Sequence, residues 1–168
     1  MKILIIGYQG YVGSGLYKYL NREHEVIGWS KGDNILCINN ELLIKENIDV
    51  VINCATVMDR VKSTFSTNSL TYKVNISGME NLVTQLRDTD IKLIYISTKD
   101  VYGNIFNKQN VVETDKYYRL SYFVDDDHPF YPQTAYGKSK LIGEYIAECH
   151  PNHIIIRLSS CYTDFDHY

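Results

Sequence analysis

The chain has 168 residues, with 17 Lys and Arg against 20 Asp and Glu and a formal charge of −3. That balance argues against a nucleic-acid backbone as partner, because such binders carry a basic face. At 45% hydrophobic and 22% charged residues the composition is that of a globular domain rather than a disordered segment.

Ile3-Leu4-Ile5-Ile6 opens the chain as a continuous apolar run, the pattern of a strand buried on both faces. Neither it nor any later run approaches the roughly 18 residues of a membrane span, and it is too short for a signal-peptide core. A cytoplasmic protein is expected. Gly7-Tyr8-Gln9-Gly10-Tyr11-Val12-Gly13 follows directly. At a strand-to-helix junction the first glycine permits a sharp turn, the second admits a pyrophosphate, and the third lets the helix pack on the strand. The helix N-terminus adds a partial positive charge for the phosphates. All seven residues are therefore candidate dinucleotide contacts, with a plain glycine-rich turn as the alternative.

Val12, Leu16, Tyr19 and Leu20 fall at helical spacing. A second strand, Val26-Ile27, ends Gly28-Trp29-Ser30-Lys31, without the carboxylate that holds the ribose 2′-hydroxyl in NAD sites. Ser30 and Lys31 are candidate contacts for the 2′-phosphate of NADP; Asp33 on the ribose, and hence NAD, is the alternative. A weaker strand is predicted near Ile35 to Ile38, and a fourth at Val50-Val51-Ile52. Val74, Leu82, Val83 and Leu86 predict a second helix. Leu93-Ile94-Tyr95-Ile96 predicts a fifth strand, after which Ser97 and Thr98 bring hydroxyls to the carboxyl edge, where open α/β sheets bind ligands.

Residues 104–133 hold two of the three prolines and the acidic run Asp125-Asp126-Asp127, and read as a long surface excursion without regular structure. A third helix follows, with Leu141, Ile142, Tyr145 and Ile146 on one face. Tyr136 and Lys140 at its start are four residues apart and share a face. An ammonium beside a phenol favours the phenolate. Such a tyrosine can exchange a proton with an alcohol oxygen while hydride moves at a nicotinamide. Taken alone, the pair is equally an exposed helix face. His150-Pro151-Asn152-His153 reads as a helix stop with surface histidines, and no metal site is expected. Ile154-Ile155-Ile156 is the sixth strand. Cys37, Cys54, Cys149 and Cys161 lack CxxC spacing and read as reduced thiols, with Cys37 and Cys54 buried beside apolar runs. The alternation predicts one α/β domain over 1–168, a Rossmann-type doubly wound parallel sheet of order 3-2-1-4-5-6.

Gly7-x-x-Gly10-x-x-Gly13, Asn53-Cys54-Ala55, Ser97-Thr98-x-x-Val101-Tyr102-Gly103, Tyr136-x-x-x-Lys140 and Ile156-Arg157-Leu158 stand in an order that resembles the extended short-chain dehydrogenase/reductase family. The likeness is greatest to nucleotide-sugar epimerases, 4,6-dehydratases and dTDP-4-dehydrorhamnose-type reductases, and it runs from Met1 to about Tyr162. It implies a catalytic set in which Tyr136 is the acid/base, Lys140 holds the nicotinamide ribose and lowers the tyrosine pKa, and Thr98 bonds the reacting sugar oxygen. It also implies cofactor contacts from Cys54, Ala55, Asn75, Ser97 and Arg157, with Ser159 close by. The dehydratase Asp-Glu pair is Lys99-Asp100 here, one carboxylate short, and the acidic residue near the third strand is Cys37.

The implied activity is NAD(P)-dependent reduction or epimerisation of a nucleotide-sugar. A catalytically silent dinucleotide-binding subunit or fragment is the alternative. The resemblance further implies a homodimer through the second and third helices, where Leu70, Leu82, Leu86, Leu141 and Tyr145 offer apolar surface. Family members continue into a C-terminal lobe; with ten residues after Leu158, this chain is expected to lack it.

Overall fold

The computed structural model describes residues 1–30, 34–58, 66–103, 111–114, 117–120 and 128–159. Five parallel strands form the sheet: β1 (Lys2–Ile6), β2 (Glu25–Trp29), β3 (Val50–Asn53), β4 (Lys92–Thr98) and, last in the chain, His153–Leu158. Two further strands, β5 (Val111–Thr114) and β6 (Tyr117–Leu120), lie between, so the last sheet strand is β7, and the sheet order is β2-β1-β3-β4-β7. β1 shows why its run is unbroken. Ile3 and Ile5 enter a cluster with Val26, Val50 and Ile52 on one face, while Leu4 and Ile6 join Val51, Leu93 and Tyr95 on the other.

Helix α1 (Tyr11–Leu20) covers the first face through Leu16, Tyr17 and Leu20. The second face is covered by α2 (Asn40–Lys45), a helical run of three segments, and α5 (Ala135–Glu148). The run comprises α3 (Leu70–Tyr72), a π turn (Lys73–Ser77) and α4 (Gly78–Leu86), which buries Met79, Leu82 and Leu86. Of the apolar residues expected at a dimer face, Leu82 and Leu86 are thus core, whereas Leu70 and Tyr145 are more than half exposed.

Four expectations are corrected. The stretch near Ile35 is a 3₁₀ turn (Ile35–Cys37) rather than an edge strand. The Asn81 amide donates to the carbonyl oxygens of Ile35 and Ile38 at 3.1 and 3.0 Å, taking groups that a strand would offer its neighbour. The sheet is therefore the expected order without its outermost member. The excursion at 104–133 contains the antiparallel pair β5–β6, in keeping with the β-branched and aromatic residues Val111-Val112 and Tyr117-Tyr118. Cys37 is exposed, because the 3₁₀ turn buries Ile35 instead. His150 is buried, one ring nitrogen 2.7 Å from the Ile91 carbonyl oxygen. Among the described residues no helix is long and apolar enough to cross a membrane, and no His, Cys, Asp or Glu cluster of metal-binding form occurs.

Candidate functional site

A cleft of about 1110 Å³ runs along the carboxyl ends of β1, β2, β3, β4 and β7. Its floor is the glycine turn. Gly7 sits at φ +79°, and a Cβ there would lie 2.8 Å from the Ala55 nitrogen, so chirality and space both demand glycine. A Cβ on Gly13 would overlap the Gly7 carbonyl oxygen and come within 2.8 Å of the Tyr8 Cα. Gly10 caps α1 without a side-chain hydrogen bond, and no acidic residue occupies the first turn. The positive end of the helix dipole therefore faces the cleft uncompensated by a side chain.

Of the residues singled out from sequence, Gly7, Gln9, Gly10, Tyr11, Val12, Gly13, Ser30, Cys54, Ala55, Ser97, Thr98, Tyr136 and Lys140 all line this cleft. Three do not. Tyr8 turns to the α1 face, its ring tilted 44° to that of Tyr17 at 5.3 Å between centroids and packed where Gly28 has no side chain. Asn75 and Arg157 lie behind the wall. Lys31 and Asp33 are outside the described residues, as are Cys161 and the run 125–127. The charged side chains among the described lining residues are Lys73 and Lys140, both cations.

Asn75 ties the back of the site together. Its side-chain oxygen accepts from the Val57 N–H at 2.7 Å, and its amide donates to the Val57 carbonyl at 3.0 Å and to Ser139 Oγ at 2.9 Å. Ser139 Oγ in turn donates to the Tyr136 carbonyl at 2.7 Å. One buried amide thereby joins the loop after β3 to the start of α5. The π turn carries Asn75 into this position; such turns concentrate at functional sites. The Thr134 hydroxyl caps α5 by accepting from the Gly137 N–H at 2.9 Å, and Tyr136 is 5% exposed. Thr98 Oγ1 accepts from the Asp100 N–H at 3.2 Å, so the hydroxyl stays at the strand end.

Lys140 is 2% exposed, its Nζ 4.0 Å above the centroid of the Tyr95 ring. Burial lowers its pKa to about 7, against the upward pull of Cys54 and Glu144. Burial also pushes the Cys54 thiol up to about 12, which keeps it protonated. Behind Lys140, the Glu144 carboxylate (1% exposed) receives the Ser97 hydroxyl and the Arg157 guanidinium, the latter with contacts of 2.9 to 3.2 Å. Arg157 also donates to the Tyr102 hydroxyl at 2.7 Å and lies 4.6 Å over the Phe130 ring. The pair of a carboxylate and a bidentate guanidinium fixes the β4–α5–β7 corner under the site.

Glu144 and Tyr95 were not singled out from sequence. Glu144 stands four residues beyond Lys140 on the same helix, a spacing that could have flagged it. Tyr95 is hidden inside an ordinary apolar strand run.

The family model described as RmlD substrate binding domain matches residues 1–167. Over 123 residues the chain is 33% identical to the probable low-salt glycan biosynthesis reductase Agl14 of Haloferax volcanii, covering 73% of this chain and 36% of that protein. Over 166 residues it is 28% identical to the dTDP-4-dehydrorhamnose reductase of Mycobacterium tuberculosis, covering 96% and 51%. The crystal structure of a dTDP-4-dehydrorhamnose reductase from Clostridium acetobutylicum superposes with a TM-score of 0.77 at 29% identity, over 99% of this chain and 56% of that one. The chain thus spans about a third to a half of the length of the curated relatives it matches.

Proposed function

Because this chain belongs to the RmlD substrate binding domain family, we propose that it is the NAD(P)-binding domain of a cytoplasmic reductase or epimerase of nucleotide-activated sugars. The observation that carries the reading is the convergence, in one cleft, of the glycine turn with Thr98, Tyr136 and Lys140. The cleft fits a dinucleotide: the N-terminus of α1 opens on it with neither a side-chain cap nor an acidic residue in its first turn, and its described lining holds two lysines and no carboxylate. NADP is the preferred form, since the second strand ends Gly28-Trp29-Ser30-Lys31, with a hydroxyl and a lysine for the 2′-phosphate where NAD sites carry a carboxylate.

When bound, the cofactor supplies or accepts the hydride. The rest is the work of side chains. The turn and the α1 N-terminus would hold the diphosphate, with Ser30 towards the adenosine. Ala55 and Cys54 would line the wall on the nicotinamide side. Tyr136 delivers or removes the proton at the sugar oxygen, and Thr98 orients that oxygen by a hydrogen bond. Lys140 binds the ribose hydroxyls and favours the phenolate of Tyr136. Ser97, Asn75 and Arg157 act at one remove, through Glu144 and Ser139. Leu70 and Tyr145 offer exposed apolar surface for a two-fold partner.

Calorimetric titration with NADPH and NADH is the test, together with hydride transfer assayed on 4-keto nucleotide-sugars. We expect binding of NADPH that is lost in Gly10→Val. In a turnover-competent form Tyr136→Phe should keep cofactor affinity and lose about 10²–10⁴-fold in turnover. No binding of either cofactor overturns the assignment. Wild-type turnover in Tyr136→Phe removes the acid/base role, and binding without turnover in this chain identifies a binding module alone. A monomer mass by light scattering at tens of micromolar refutes the dimer.

A further inference from the structure

Lys140 presents a physical problem. An ammonium in water is stabilised by its hydration shell, and this one is 2% exposed inside a wall made of protein. The group lying directly against it is the Tyr95 ring, whose centroid is 4.0 Å from Nζ, well inside the range of a cation–π contact. The Tyr95 hydroxyl is buried and has no hydrogen-bond partner among the described residues. An unsatisfied phenol in a core costs free energy, so whatever this residue contributes comes from its ring. The ring is also held in place: a Cβ on Gly143 would overlap the Tyr95 hydroxyl, so α5 reserves the room with a glycine three residues beyond Lys140.

We propose that Tyr95 is the positioning residue for Lys140: the face of its ring substitutes for water beneath the ammonium and keeps that cation at the cleft wall. This rests on the reading of Lys140 above for its functional meaning. The other ionisable groups acting on Lys140 are Cys54, after β3, and Glu144, on α5 itself; Tyr136 acts in turn on Tyr95. Glu144 favours the ammonium through its charge while its oxygens are hydrogen-bonded to Ser97 and Arg157, and Cys54 remains a thiol; the Tyr95 ring is the group in direct contact with Nζ. A Lys140 held charged against burial is what its ribose-binding and phenolate-favouring roles require.

The cofactor-free chain, labelled with ¹⁵N-lysine, provides the test. The Nζ signal of Lys140, identified by its loss in Lys140→Met, is titrated from pH 5.5 to 9.5, with a wild-type midpoint expected at about 7. Tyr95→Phe should leave the midpoint within about 0.3 of a pH unit and the melting temperature unchanged or raised, because only an unpartnered hydroxyl is lost. Stepwise fluorination of a phenylalanine at this position weakens the ring quadrupole at nearly constant shape. The midpoint should then fall with each fluorine, a trend that packing alone does not produce. Tyr95→Leu should lower it by about 1 to 1.5 units, the worth of a desolvated cation–π contact of about 2 kcal/mol. If Tyr95→Leu does not fold, Tyr95→Met and the fluorinated series carry the same expectation.

A midpoint indifferent to fluorination, or equal shifts in Tyr95→Phe and Tyr95→Leu, overturns the proposal. Failure of the wild type to bind NAD(P)H would refute the proposed function yet leave this titration fully informative.

Discussion

Replacing Lys140 by Met keeps the length of the side chain and removes its charge, and the consequence for stability follows from where Lys140 sits. Its pKa is about 7 in the fold against an ordinary 10.5. At 1.36 kcal/mol per unit the difference corresponds to roughly 5 kcal/mol when the group is fully charged. The folded-state value is the lower one, so between pH 7 and 10.5 the unfolded chain binds more protons and wild-type stability rises with pH. Below pH 7 both states are protonated and the full cost is present. Lys140→Met has no such term. The variant should therefore be more stable than wild type near pH 6, and the gap should narrow by about 2–3 kcal/mol by pH 9. For a domain of this size that is a change of roughly 5–10 °C in the difference between melting temperatures. Urea unfolding of both proteins at pH 6, 7, 8 and 9 measures it, and titrations common to the two cancel. A gap that stays constant across this range would refute the claim that folding depresses the lysine. The stability gained should come with loss of cofactor affinity, the usual exchange at a functional residue.

Two further outcomes are expected. Gly13→Ala sets a methyl against the Gly7 carbonyl and the Tyr8 backbone, which cannot yield as a side-chain tip would. It should cost about 3 kcal/mol or more in urea unfolding and abolish NAD(P)H binding, and a change under 1 kcal/mol would contradict the packing described. Asn75→Ala removes the two hydrogen bonds between the Asn75 amide and the Val57 backbone and the one to Ser139 Oγ. It should cost about 2–4 kcal/mol and weaken cofactor binding although Asn75 does not line the cleft; unchanged binding in a folded variant would show that the Val57 loop holds itself.

The parts of the site legible in the sequence are those fixed by local chain geometry. The glycine turn follows a strand directly, and its demands are backbone demands met within seven residues. Tyr136 and Lys140 share one helix, so their spacing alone puts them side by side. The unbroken apolar runs of β1, β3 and β4 declare strands covered twice. What escaped detection depends on partners remote in sequence. The segment at Ile35 carries a strand-like composition, yet Asn81, more than forty residues away, claims its carbonyls. Tyr8 and Arg157 belong to motifs whose neighbours line the cleft, but Tyr8 is drawn to Gly28 and Tyr17, and Arg157 to the buried Glu144. No local pattern announces that Tyr95 lies beneath a lysine from another element.

The π turn at Lys73–Ser77 has a consequence for how this helical run can vary in length. It holds one residue more than an α-helix would use over the same path, and each residue of an α-helix turns the chain by about 100°. Downstream, Met79, Leu82 and Leu86 lock α4 to the core. A single deletion inside the turn would let the run close into an unbroken α-helix over the same path, with α4 and the segment before the turn keeping their places. What the wide turn sets is the direction of the residues within it: on the tighter helix the amide of Asn75 would move off Val57 and Ser139. A deletion in the flanking helix has no surplus residue to absorb it and turns what lies upstream by about 100°. Between Ser69 and Gly78 the run can therefore lose one residue and keep its course, but not its hold on the Val57 loop.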